Sequence, residues 1–300
     1  MADTIDLKQA AATSVFASLK AGKAIMEVYR SKQLDVQIKD DNSPLTRADT
    51  HSQQIIHQAL AEEFPTIPFV GEEGPDIPYS ERRGWRQFWL VDPLDGTKEF
   101  IKGNGEFTTN IALIRGSRPV MGVIYAPVVD TLYLAVEGEG AYRISAAQKI
   151  KELPLSFESV IADAEILRLK DRVNEEQICV LASRSHRSKE ADAFIELLKT
   201  RYHDCRFISS GSSLKLCLLA EGTAQIYPRF APTMEWDTAA GQAILEEIGG
   251  TILSYPENTP LRYNKENLRN PWFLAGSLPR EDTLSLARAF NDSRSVSYTH

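Results

Sequence analysis

The stretch "WLVDPLDGTKEF", residues 89 to 100, closes an apolar run on two aspartates three positions apart, Asp92 and Asp95. Its lead-in, Phe88-Trp89-Leu90-Val91, predicts a buried strand that stops at Asp92. Two carboxylates held that close repel, and one is driven toward its neutral form unless a cation sits between them. The pattern therefore asks for a cation. Directly after it, Gly96 and Thr97 offer a small-residue turn whose amides can receive a phosphate oxygen.

The chain around this stretch has 300 residues, 43% of them hydrophobic and 25% charged, the profile of a soluble globular protein. That length supports one large domain or two lobes of ordinary size. Against 41 acidic side chains stand 34 basic ones, for a net charge of −7 and a pI near 5.4. Such a field attracts neither nucleic acid nor anionic lipid. An anionic substrate must be drawn in by local groups or by bound metal. The three cysteines, Cys179, Cys205 and Cys217, form no CxxC pair, so no disulfide framework is expected and a reducing compartment fits. The opening "MADTIDLKQA" lacks the basic-then-apolar order of a signal peptide. "VMGVIYAPVV", interrupted by Gly122 and Pro127, is about half the length of a membrane span. The expectation is a cytoplasmic protein without an integral membrane segment; peripheral attachment at the inner membrane stays open.

Ala11, Val15, Leu19, Gly22, Met26 and Tyr29 recur at helical spacing and predict a long first helix. A second begins near Thr46, buries Ile55, Ile56, Ala59, Leu60 and Phe64, and ends at Pro65. From Thr108 to Ile144 short β-rich runs alternate with turn residues, as in an antiparallel meander. Beyond about residue 150 strands and helices alternate. The architecture expected is two α/β lobes, 1–150 and 151–300, with the DPLDGT turn toward their seam.

Five acidic residues stand at ends or turns of elements: Asp49, Glu72, Asp92, Asp95 and Asp237. Hard oxygen donors without clustered histidine or cysteine suit Mg²⁺ or Mn²⁺ better than zinc. An EF-hand loop begun at Asp92 would need ligands where Leu94, Gly96 and Gly103 stand. Neither G-x-x-x-x-G-K-[ST] nor G-x-S-x-G occurs. Plainer readings exist for single members. Thr46-x-x-Asp49 is a capping box, Asp237 fits an N-cap, and Glu72-Glu73 fits a solvated turn.

"VDPLDGTKEF" together with "GEEG" and "WDTAAG" resembles the inositol monophosphatase superfamily of magnesium-dependent, lithium-sensitive phosphatases. More closely, "DPLDGTKEFIKGNGEFTTNIALI" and "GSSLKLCLLAEGTAQIYPRFAPTMEWDTAAG" are similar to its CysQ-type branch, the bacterial 3′(2′),5′-bisphosphate nucleotidases. The likeness runs from about residue 5 to about residue 278. It implies a layered αβαβα sandwich, mixed α/β (α+β) in class. It implies two or three Mg²⁺ held by Glu72, Asp92, the Leu94 carbonyl, Asp95 and Asp237. Thr97, helped by Asp49, would orient the attacking water, and Gly96 with Thr97 would hold the phosphate. Ser183, His186, Ser212, Lys215 and Arg229 would contact a nucleotide. For His186 an exposed loop position, and for Lys215 a solvated helix face, are the plain alternatives. The activity implied is removal of the 3′-phosphate of 3′-phosphoadenosine 5′-phosphate, the sulfated form being a second substrate and sulfur assimilation the setting. Its partner is thus a small nucleotide bisphosphate, the protein itself being a monomer or weak homodimer. An inositol or sugar monophosphatase, or a non-catalytic metal and nucleotide sensor, are the alternatives.

Overall fold

The computed structural model describes residues 5–39, 43–150, 156–169, 176–183 and 188–297. Its first helix, Leu7–Ser31, starts where the Asp6 side chain accepts from the Lys8 amide at 2.8 Å and stops where Lys32 turns left-handed. The face it buries is a stripe of Ala10, Ala11, Val15, Ala17 and Ala21, small enough for close approach to its neighbours. The second helix, Arg47–Glu63, packs beside it and buries Ile56 and Leu60, with Ile55 and Ala59 partly covered. This pair forms the outer layer of the molecule.

Beneath the pair lies a seven-stranded sheet in the order Phe69–Gly71, Gln87–Asp95, Thr108–Arg115, Arg118–Ala126, Thr131–Val136, Gly140–Ser145 and Glu165–Leu167. All its pairings are antiparallel except that of Phe69–Gly71 with Gln87–Asp95. The expected meander is present. The sheet also continues past residue 150, because Glu165–Leu167 adds an edge strand to it. The short helix Phe157–Ile161 returns Phe157 and Val160 to the core under the first helix.

On the other face of the sheet lie Leu214–Ala220 and Glu235–Glu247, the middle layer. A five-stranded sheet covers them, in the order Asp204–Ser210, Gln177–Ser183, Ile226–Arg229, Trp272–Gly276 and Thr251–Tyr255. Lys189–Arg201 and Arg280–Ser297 close its far face. The result is an αβαβα sandwich. Gln177–Ser183 pairs in parallel with both neighbours, as the strand–helix alternation of this half requires, whereas Trp272–Gly276 is antiparallel to both of its own. The strand Thr251–Tyr255 and the last helix were not expected. Thr283, Leu286, Ala287 and Phe290 do carry helical spacing, buried in an otherwise polar segment.

The middle helix Glu235–Glu247 is buried on most sides and pays for its position with small residues. A Cβ on Gly122 would stand 2.4 Å from the Ala240 carbonyl oxygen, and one on Gly241 would stand 2.2 Å from Leu216 Cδ1. The approach at Gly122, backbone against backbone, tolerates no added methyl. Gly122→Ala is therefore expected to destabilise the fold by about 1–3 kcal/mol, read from urea denaturation. Gly84→Ala, where nothing lies within 4 Å, is the matched control and should leave stability nearly unchanged. Equal effects of the two substitutions would refute the close-packed middle layer.

Candidate active site

Along Gln87–Asp95 the pairing with Thr108–Arg115 is regular from Gln87 to Asp92, then slips so that Asp95 faces Thr108. Strand alternation alone would send residues three apart to opposite faces. One extra residue in the bulge cancels that alternation and lets Asp92 and Asp95 act on the same site. The bulge is anchored through Pro93, whose carbonyl accepts from Ser52 Oγ at 2.8 Å and from Thr109 Oγ1 at 3.2 Å. The Leu94 amide donates to Asp92 Oδ1 at 3.0 Å. Gly96 then turns left-handed at φ 95°, with the Glu106 carbonyl only 2.9 Å from where a Cβ would stand. It opens the short helix Thr97–Lys102, another element not expected from sequence.

Three further carboxylates approach this turn. Glu72 follows Phe69–Gly71, the strand paired with Gln87–Asp95, and its amide donates to the Val91 carbonyl at 3.1 Å. Asp237 comes from the middle layer. It is the third residue of Glu235–Glu247, not its N-cap, and its Oδ2 accepts from the Met234 amide at 2.8 Å. Asp49 comes from the outer layer, where it caps its own helix and also meets Thr97. Its Oδ2 accepts from the Thr46 amide at 2.7 Å and from Thr46 Oγ1 at 2.5 Å, completing the capping box. Its Oδ1 accepts from Thr97 Oγ1 at 3.1 Å. Thr97 Oγ1 also lies 3.3 Å from the Leu94 carbonyl.

The electrostatics follow from this crowding. Burial, and then the charges of Glu72, Asp95 and Asp237, push Asp92 well above the usual carboxylate range. Burial, followed by Asp95 and Glu72, does the same to Asp237. Burial, with Glu73 and Asp95 adding to it, pushes Glu72 up to about 7 against the opposing charge of Lys39. Burial also raises Asp49, opposed by its bonds from Thr46 and Thr97. Lys39 donates to Glu72 at 3.2 Å and to Glu73, so the GEE turn is an ion-paired corner rather than a solvated one.

A cavity of about 150 Å³ opens beside the cluster, with Asp95, Gly96, Ser212, Lys215, Arg229 and Asp237 on its wall. Lys215 does not lie on a solvated helix face. It is buried, donates to the carbonyls of Ser210 at 3.2 Å and Ser212 at 2.7 Å, and is pushed down to about 8, chiefly by burial. Arg229 ends Ile226–Arg229, half-buried, and donates to the Pro232 carbonyl at 3.1 Å. Ser212 is left-handed at φ 46°. Ser183 ends its strand in register with Ser210. His186 lies outside the described residues.

Sequence reasoning missed the residues that hold these groups in place, namely Ser52, Asn110 and Ser213. Ser213 sat within a stretch already singled out, but nothing local marks it over Ser212. The donor set is all oxygen and ranges from half-buried to buried, with positive charge at its margins from Lys39, Lys215 and Arg229. It fits a hard divalent cation. Among the described residues no three acidic, histidine or cysteine side chains enclose a metal unaided. Magnesium suits such an open set, since it keeps several waters and shares substrate oxygens.

The chain belongs to the inositol monophosphatase family, whose profile matches residues 6–292. Within that class it is similar to 3′(2′),5′-bisphosphate nucleotidase CysQ of Escherichia coli strain K12, 42% identical over 255 residues, 84% of this chain and 94% of that protein. The CysQ of Haemophilus influenzae is 34% identical over 257 residues, 85% of this chain and 88% of that one. The crystal structure of CysQ from Bacteroides thetaiotaomicron, a bacterial member of the family, superposes with a TM-score of 0.82 at 46% identity, covering 91% of this chain and 98% of that one.

Raised carboxylate pKa values set the pH response of the metal-free protein. Asp92, Asp237 and Glu72 bind protons more tightly folded than unfolded. The stability this contributes is complete below the unfolded pKa, about 4, and is lost as pH rises through the folded values, about 7 for Glu72. Without metal, the melting temperature is expected to fall between about pH 5 and pH 8. Mg²⁺ needs ionised ligands, so its stabilising effect should be larger at about pH 8 than at pH 5.5. A melting temperature indifferent to Mg²⁺ at both values would overturn the cluster as a cation site.

Proposed function

We propose that this protein is a Mg²⁺-dependent 3′(2′),5′-bisphosphate nucleotidase that removes the 3′-phosphate of 3′-phosphoadenosine 5′-phosphate, leaving AMP and phosphate. The observation that carries this reading is the meeting of four carboxylates with a cavity whose wall also bears Lys215 and Arg229. The 42% identical CysQ relatives support it at the level of nucleotide bisphosphate hydrolysis.

When bound, a divalent cation at Glu72, Asp92, the Leu94 carbonyl, Asp95 and Asp237 supplies the positive charge that offsets the cluster and admits an anionic phosphate. Thr97 commits its proton to Asp49, so its oxygen faces a water as an acceptor and holds that water's lone pair toward phosphorus. Asp49, raised above the usual carboxylate range by burial, takes up the proton through Thr97. The Gly96-Thr97 turn holds a phosphate oxygen. The second phosphate of the substrate needs cations of its own, because the net charge of −7 repels it. Arg229 offers paired donors for it, and Lys215 fixes the Ser210–Ser212 backbone beside it. Ser212, on the same cavity wall, would contact the nucleotide.

Asp49→Asn separates the two roles of that residue. Its amide oxygen can still accept from Thr46, so the melting temperature should change little, while kcat falls on the order of 10²-fold. Thr97→Ala should lower kcat similarly, with KM less affected. A pure capping role predicts lost stability and unchanged turnover per folded molecule.

The test of substrate class is phosphate release from 3′-phosphoadenosine 5′-phosphate, a 3′-monophosphate and inositol 1-phosphate. Arg229→Ala should lower kcat/KM for the bisphosphate by about 30-fold or more and leave the 3′-monophosphate nearly unaffected. An unchanged ratio would transfer the reading to an inositol or sugar monophosphatase.

A further inference from the structure

Ser213 stands just before Leu214–Ala220 with 3% of its surface exposed, and its hydroxyl touches three elements. Asn110 Nδ2, from the large sheet, donates to its oxygen at 2.9 Å. Asp95 Oδ2 lies 2.6 Å from that oxygen, and the carbonyl of Asp237 lies 2.8 Å from it. A hydroxyl has a single proton to give. With Asn110 occupying a lone pair, that proton goes to one of two acceptors, and the charged carboxylate at the shorter distance is the stronger. The direction is set one step further back. Thr108 Oγ1 donates to Asn110 Oδ1 at 3.0 Å, which turns the amide NH₂ toward Ser213. All three residues are buried, so water does not compete for these bonds.

We propose that Ser213 is a positioning residue for the cation site, holding one oxygen of Asp95 with its single proton where the carbonyl of Asp237 packs 2.8 Å from the same hydroxyl, so that both carboxylates are presented together. Thr108 and Asn110 extend the chain behind it. Without the hydroxyl, Asp95 can swing away from the repulsion of Asp92 and Asp237, and the middle layer loses its polar tie to the bulge.

The inference rests on the reading of the carboxylates as a cation site, and calorimetric titration with Mn²⁺ in the absence of substrate tests both separately. Wild type, Ser213→Ala, Asn110→Ala and Ser213→Thr are compared as full-length protein, with folding checked by circular dichroism and melting temperature. Ser213→Ala is expected to weaken Mn²⁺ binding by about 10- to 100-fold, the range for loss of a group that orients a metal ligand. Asn110→Ala should weaken it less, since the hydroxyl remains, and Ser213→Thr should restore binding to within a few-fold of wild type. A folded Ser213→Ala protein with wild-type Mn²⁺ affinity, even at a lower melting temperature, overturns the inference. Should that variant not fold, unchanged affinity in Asn110→Ala overturns it instead. Wild type that binds no Mn²⁺ overturns the cation site and this role with it.

Discussion

Crowded carboxylates, half-buried or buried, that repel each other are the constraint around which the molecule is arranged. Asp92 and Asp95 come from one strand end, Glu72 from its parallel neighbour and Asp237 from a helix on the opposite face. Left to themselves, such groups separate or take up protons. Packing keeps them together. The glycine at 122 brings the middle helix against the sheet, and the bulge after Asp92 brings the second aspartate round to the first. Apolar burial on both sides, with Trp89, Leu90 and Val91 at or below 1% exposure, fixes that strand too firmly for the charges to pull it apart.

Local chemistry reinforces the arrangement by giving single side chains two partners. Asp49 spends one oxygen on the helix cap and the other on Thr97. Asp237 both closes the start of its helix and joins the acidic group. In each case helix formation sets the orientation of the carboxylate before any ligand arrives. An acid that already satisfies backbone amides has few rotamers left, so little conformational entropy is lost when it binds.

Much of this was legible in the sequence because it is local. The apolar run into "DPLDGT" marks a strand end, Thr46-x-x-Asp49 marks a cap, and the meander from Thr108 is written in turn residues. The layered fold and the family were legible through the long motifs. What escaped depends on distance along the chain. Ser213 acquires its meaning from residues 103 and 118 positions away, and a serine beside another serine carries no mark of that. The strand Thr251–Tyr255 is short and the helix Arg280–Ser297 is polar on average, so tertiary cover rather than propensity defines them. Lys215 reads as a surface lysine by type. Only the fold puts it in the interior.

One apolar cluster runs without a break from Phe88, Ala112 and Ile124 of the large sheet, through Leu216 and Ala240, to Tyr227, Ile252 and Phe273 of the small one. Two halves that share a core have no hinge between them. Opening the site by swinging one half away would expose that core at about 25 cal/mol for each Å² uncovered, a cost that thermal motion does not meet. Traffic of nucleotide and phosphate must therefore pass through the surface segments at the rim while the frame stays shut.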